Sequence, residues 1–480
     1  MFRLTLFVLL LLSFSNHSNA EFSKEYLDQV TELRDNALNN SLAYELTESL
    51  TTEVGSRLGG SEGDAKAVAW GVAKFKELGF DKVYTEPVTF KSWSRGEETA
   101  EVISPYSHEL KITALGGSHG TPKKGLKGEI VHFESLEAFK EAKGEQVKGK
   151  IVFISKKMRR THTGKGYGEV NDSRYYGPEL VAQKGGIGLL IRSIGTDSNR
   201  DPHTGSMKFK VEDEKTGKIT YLKEKELVPA AALSNPDADL LVNMLSRNQP
   251  VVVKYTLGAK WNGDYTSQNV IGEITGSEKA VEVIVIGGHL DSWELGTGAI
   301  DDASGCAITM ATAKLIKDSG LKPKRTIRVV LWANEEYGLS GAKAYAKAHK
   351  DELNKHIIGA ESDFGAGKIY AFSSHVAEKS LPFISQMSIL LQPLGVAYAG
   401  NNGSSGADIS PLKKLGMATM SLHQDGTKYF DLHHTQDDTL DKVDPEELAQ
   451  NVAVWVVFVA LAAEYTGDFG FGLAEKNKES

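Results

Sequence analysis

From residue 269 onward, short apolar runs alternate with helical stretches, and the turns between them carry acids and histidines. The runs 281–286, 326–332, 357–358, 369–372 and 419–422 are too short for helices and rich in Ile, Val and Leu. Such alternation specifies an α/β fold, a sheet with helices on both faces. It also says where chemistry belongs, because ligands of open α/β sheets gather outside the carboxyl ends of the strands. Five turns lie just past an apolar run or at the opening of a helix. They are His289-Leu290-Asp291, Asp301-Asp302-Ala303-Ser304-Gly305, Asn334-Glu335-Glu336-Tyr337-Gly338, Glu361-Ser362-Asp363 and Leu432-His433-His434-Thr435.

The rest of the chain reads differently. A charged amphipathic helix is expected over 21–42, and Gly59-Gly60-Ser61 opens another that runs to about residue 78. Residues 83–90 and 99–103 alternate as strands do. From about residue 107, short apolar runs at 129–133, 150–154 and 186–191 sit among Lys- and Gly-rich turns, the pattern of a mostly β insert. A helix over 445–465, with Pro445 in its first turn, closes the fold. The expected organisation is therefore a first segment 21–106, an insert 107–264, a metal-binding segment 265–475 and a polar tail 476–480.

Arg3, an apolar core over 4–12 and Ser18-Asn19-Ala20 have the layout of a secretory signal peptide over residues 1–20, which implies a secreted or periplasmic protein. The apolar core is shorter than the roughly 20 residues needed to span a bilayer. Residues 452–463 come next closest, and a buried helix explains them better, so no membrane span is expected in the mature chain. The net charge of −8 becomes −9 when Arg3 leaves with the leader. That balance gives no reason to expect nucleic acid as a partner. Cys306 is the single cysteine, so no internal disulfide holds the fold. Its place after Gly305 at a helix start marks it as a small buried residue rather than a nucleophile.

Taken singly, the five turns mean little. Glu335-Glu336 alone reads as a solvated acidic turn, His433-His434 as a surface pair and Asp301-Asp302 as a helix cap. Jointly they supply the donors of a two-zinc site. His289, Asp301, Glu336, Asp363 and His434 offer two imidazoles and three carboxylates, ordinary zinc ligands at about 2.0–2.2 Å. Two divalent ions at about 3.5–4 Å repel unless anions lie between them. Asp301 is the expected bridge, and a bridging hydroxide would cancel the one remaining positive charge. Adjacent side chains of an extended chain point to opposite faces, so the turn 334–338 must reorient one glutamate. We expect Glu336 to be the ligand and Glu335 to be the general base beside the attacking water. Asp291 is expected to fix the imidazole tautomer of His289.

This ordered set, with Gly-His-Leu-Asp-Ser, Asp-Asp-Ala-Ser-Gly, Asn-Glu-Glu and His-His-Thr, resembles the co-catalytic di-zinc exopeptidases related to bacterial leucyl aminopeptidase. Gly406-Ala407-Asp408-Ile409-Ser410 and the closing Asp444-Pro445 helix bring it nearest to the carboxypeptidase Q-like branch. The resemblance implies a mixed-sheet peptidase domain with two zinc ions, with Asp301 as bridge and Glu335 as base. It leaves open which terminal carboxylate partners which histidine. It also implies a protease-associated-like insert, a cis peptide between Asp301 and Asp302, short peptides or dipeptides as substrates and a homodimer. Whether an amino or a carboxyl terminus is read stays open.

Other readings are weaker. Gly59-Gly60-Ser61-Glu62-Gly63 and Gly116-Gly117-Ser118-His119-Gly120 match a serine-nucleophile elbow in letters. The first lacks a strand before it and the second a helix after it. A binding protein on the same fold would have lost ligands, and here all are present. Zinc-dependent glutaminyl cyclases are linked to a single zinc, whereas this chain supplies a full pair of sites. Asp408 is a candidate for holding a free amino group or a member of a flexible surface turn. Tyr429 and Phe430 are candidates for lining a side-chain pocket or packing beside His434.

Overall fold

The computed structural model describes residues 22–472 except 214, 215 and 217; the expected signal peptide and the polar tail lie outside the described residues. The alternating apolar runs become an eight-stranded mixed sheet. Its four central strands, Arg325–Trp332, Lys279–His289, His356–Glu361 and Ala418–Gln424, are parallel neighbours in that order. Antiparallel strands flank them: Lys260–Ile274 with Lys82–Ser94 on one side, and Ile369–His375 on the other.

Alternation along the central strands decides the two layers. Ile284 and Ile286 join one apolar cluster with the helices Ser304–Asp318 and Pro445–Glu464, while Val283 and Val285 join another with Ser340–Ala348. Helices thus cover both faces, as the sequence predicts. Pro445–Glu464 is buried at every residue from Leu448 to Ala463. Among the described residues it is the one helix long and apolar enough to cross a bilayer, yet 89% of its apolar window is buried inside the protein. Asp444 caps it by accepting from the Glu446 and Glu447 amides, worth about 1 kcal/mol. Gln450 pairs with both backbone groups of Ile369, which allows an amide inside the apolar core.

A second eight-stranded sheet is built from the strands between residues 98 and 257. Strand Glu98–Ser104, expected in the first segment, pairs here with Val252–Leu257. The other expected boundary, at 264/265, falls inside the strand Lys260–Ile274, whose ladder with Lys82–Ser94 runs without a break from Gly263 to Glu273. This unit also carries more helix than a mostly β insert. Its strands Leu126–Phe133, Ile151–Ile154, Gly188–Arg192 and Ala230–Leu233 are parallel, and parallel neighbours need crossover connections. The helices Leu136–Glu141 and Gly177–Gln183 lie within two of them. The leading helix expected over 21–42 spans Lys24–Ala37, and a second helix, Leu42–Ser49, follows it. The Asn40 side chain takes the Leu42 amide at 2.9 Å, a local bond that competes with helix continuation.

Candidate metal centre

The central parallel strands end together, and the candidate residues follow their carboxyl ends. His289 is the last residue of its strand, behind Gly287 and Gly288. A Cβ on Gly288 would stand 2.5 Å from the Asp302 carboxylate and 2.7 Å from the Cys306 amide, so glycine lets the helix start come against the strand. There the peptide Asp301–Asp302 is cis, as the resemblance implies. Asp302 faces inward, accepting from the His289 amide and the Gly305 amide at 3.0 Å each. It ties strand end to helix start, while Asp301 faces the cluster.

The His289 Nδ1 meets the backbone carbonyl of Asp291 at 2.9 Å, and its Nε2 lies 2.9 Å from Asp301 and 3.4 Å from Asp363. Asp291 therefore orients the ring, but through its carbonyl; its carboxylate stands 3.8 Å from Nδ1. That carboxylate instead accepts from the Glu335 amide at 2.9 Å and the Glu336 amide at 3.4 Å. Asn334 takes φ +54°, a left-handed conformation that asparagine tolerates. This turns the two glutamates out of strand alternation. Glu336 becomes buried, its Oε2 3.1 Å from His434 Nε2 and its Oε1 accepting from the Trp293 amide. Glu335 is less buried and lines the cavity.

His434 Nε2 lies 3.3 Å from Asp301 Oδ2, and His433 Nε2 is 3.7 Å from the same oxygen, with the two rings stacked at 3.4 Å. The structure thus brings all five expected ligands together and adds His433 as a neighbour. Asp301 Oδ2 is buried without a hydrogen-bond partner among the described residues. Three groups have donor atoms within 4.8 Å of one another: Asp301–His433–His434, His289–Asp301–Glu336 and His289–Asp302–Asp363. Asp301 is shared by the first two.

The electrostatics fit a cation. Burial pushes Asp291 up to about 6, Asp438 up to about 7, and Glu335 and Glu336 well above the usual range. Burial also opposes ionisation of Asp301, but the hydrogen bond from His289 outweighs it and holds that carboxyl low. Burial keeps His433 and His434 neutral, the form in which imidazole ligates. An excess of buried carboxyls beside neutral imidazoles is the donor chemistry of zinc.

The cavity over this cluster, about 250 Å³, is also lined by Tyr429 and Phe430 and by Tyr167, Arg174 and Ser206. The last three come from the second-sheet unit. His434 Nδ1 lies 3.3 Å from the Thr204 carbonyl, and the Thr204 amide donates to the His434 carbonyl, so that unit also holds one of the candidate ligands. No sequence signal marks Arg174; it lies in a short helix far from every motif. Asp408, a candidate for holding a free amino group or for a flexible surface turn, is fully buried beside Glu361.

Comparison with known proteins agrees with this geometry. The family model "Peptidase family M28" matches residues 269–459. Carboxypeptidase Q of Mus musculus is 34% identical over 422 residues, spanning 88% of this chain and 86% of that protein. The chain belongs to peptidase family M28. The Homo sapiens carboxypeptidase Q is 33% identical over the same length. A crystal structure of a peptidase M28 precursor from Shewanella amazonensis is 49% identical, with a TM-score of 0.88 over 93% of this chain and 98% of that one. An aminopeptidase from Aneurinibacillus sp. strain AM-1, at 22% identity and a TM-score of 0.61 over 94% and 98% of the two chains, shares the fold. The chain is an M28 metallo-exopeptidase acting on peptides, and its buried His, Asp and Glu cluster is suited to zinc.

Proposed function

We propose that this M28 peptidase is a secreted di-zinc enzyme that removes a residue from short peptides or dipeptides. The observation that carries the reading is the sharing of Asp301 between two overlapping donor groups. In this reading two ions would share Asp301, with His289 and Asp363 holding one and His434 and Glu336 the other, a pairing favoured by their 3.4 and 3.1 Å separations. Bound zinc supplies Lewis-acid polarisation of the scissile carbonyl and makes a water acidic. Glu335 takes the proton from the attacking water and returns it to the leaving amine. Its burial, which raises its affinity for a proton, suits both halves of that task.

Arg174 supports reading a carboxyl end. Its guanidinium is 7% exposed, donates to the Thr204 carbonyl and the Tyr167 hydroxyl, and leaves Nε without a partner among the described residues. Ser206 Oγ in the same cavity is also unpaired. A buried guanidinium without an acid is matched by a substrate carboxylate. The leader motif carries the proposal of secretion, and the family resemblance that of a homodimer. A panel of dipeptides with free, amidated and acetylated ends tests the function, with and without a chelator. The expected result is chelator-sensitive hydrolysis that weakens on amidation of the carboxyl end; chelator-resistant hydrolysis would overturn it.

A further inference from the structure

His434 takes φ +63°, a left-handed conformation that a residue with a side chain keeps only where its surroundings hold it. Two peptide groups flank its Cα, and the second-sheet unit holds both. The His433 carbonyl accepts from His203 Nδ1 at 2.6 Å, and the His434 carbonyl accepts from the Thr204 amide at 3.0 Å. Fixing both peptide groups fixes φ and ψ of His434. It thereby sets the direction in which the imidazole leaves the loop.

His203 is itself built into place. It is 1% exposed, and its Nε2 lies 2.7 Å from Asp197 Oδ1. Asp197 in turn accepts from the Asn199 amide at 2.9 Å and from Asn235 Nδ2 at 3.0 Å. A carboxylate on one side of the ring and a carbonyl on the other both accept, so His203 donates in both directions. The Ser193 hydroxyl oxygen accepts from the His203 amide at 2.8 Å. A Cβ on Gly195 would stand 2.1 Å from Nε2, so glycine there leaves room for the ring. An aliphatic side chain would fill this space with no polar group to desolvate. A histidine backed by a carboxylate adds one thing to that, a directed donor.

We propose that His203 is a positioning residue of the metal centre: fixed by Asp197, it sets the His433–His434 main chain so that His434 Nε2 meets Glu336 and Asp301. Those separations are 3.1 and 3.3 Å. The inference rests on the di-zinc reading above and deepens it. His289 is the last residue of a central strand, and the sheet ladder itself holds its backbone. His203 therefore serves the ion of His434 and Glu336 and not the ion of His289 and Asp363.

The test titrates metal-free full chains of wild type, His203→Leu and His203→Asn with zinc in a calorimeter, with folding checked by circular dichroism. Leucine fills the space without a donor, whereas asparagine keeps a nitrogen at the place of Nδ1. In His203→Leu one ion is expected to bind about 10- to 100-fold more weakly, the usual effect of losing a group that orients a ligand. The other ion should bind within a few-fold of wild type, and His203→Asn should regain most of the loss. Wild-type affinity for both ions in His203→Leu, or equal weakening of both, would overturn the proposal. So would an asparagine variant that binds no better than the leucine one. Amide hydrogen exchange of wild type decides independently of the variants' folding. The Thr196 and Thr204 amides donate to the Phe430 and His434 carbonyls, and both are expected to stay protected after zinc is removed. Fast exchange in the metal-free protein would show that the ion holds the loop, and would overturn the proposal. If wild type takes up one ion or none, the di-zinc reading has failed, and the exchange measurement still judges His203.

Discussion

Buried ionisable networks occupy both ends of the central parallel strands, and they differ in how their charge is met. At the amino-terminal end, Arg328 lies 2.7 Å from Glu273 and donates to the Tyr345 hydroxyl at 2.5 Å. Lys82 reaches Glu273 from the other side, His349 joins Glu86 to Glu352, and Tyr345 contacts His356 at 2.8 Å. Burial there opposes ionisation of Glu273, but Arg328 and its neighbours hold that carboxyl below the usual range. At the carboxyl end the acids outnumber the bases. The fully buried Arg57 donates to the carbonyls of Leu290, Thr297 and Gly298 rather than to the acids. A network that closes on its own cations is scaffold. One that leaves several carboxyls pushed toward protonation is poised for cations from outside.

Breaking each network should therefore do different things. The largest effect is expected from Asp301→Ala, which removes the shared carboxylate: zinc is lost on dialysis and turnover falls below detection. Two tightly held zinc ions in that variant would exclude Asp301 as bridge. Glu335→Gln should keep its zinc and lose about two or more orders of magnitude in turnover; near-normal turnover would exclude Glu335 as the base. At the opposite end, Arg328→Met leaves Glu273 with the half-exposed Lys82 alone and Tyr345 without its cation. It should cost about 3–5 kcal/mol of stability in a denaturant titration, with zinc content and kcat of the folded fraction unchanged. A parallel loss of zinc would show that the two ends are not independent.

The smallest effect concerns pH. Burial and Arg328 lower His356 to about 4, below the roughly 6.5 of an unfolded histidine. The unfolded chain therefore takes up the proton first. The contribution to stability is complete above about pH 6.5, is lost as pH falls toward 4 and changes no further below that. Wild type should lose about 1–3 kcal/mol more than His356→Gln over that interval; identical losses would contradict the buried neutral form.

Features that depend on neighbours in sequence were legible, and features that depend on docking were not. The strands, the helix capped by Asp444 and the turns after the strand ends are local patterns, so His289, Asp301, Glu335, Glu336, Asp363 and His434 could be found as a group. Asp291 illustrates the limit: its neighbourhood to His289 was visible, but its backbone carbonyl takes Nδ1 while its carboxylate serves the glutamate turn. Arg174 and Thr204 reach the site because the second-sheet unit lies against the loop bearing His434, 230 residues after Thr204. Glu361 sits inside a recognised motif, yet its fixing partner, Asp408, is 47 residues away, and no local pattern records that contact.

The contrast between the two ends comes down to how many cations the carboxyl end takes up. The direct measurement is the zinc content per chain of wild type, freed of metal and titrated with zinc while peptide hydrolysis is followed. The account predicts two zinc ions per chain, with activity appearing as they bind and vanishing on chelation. Full activity in metal-free protein, or saturation without bound zinc, would contradict it.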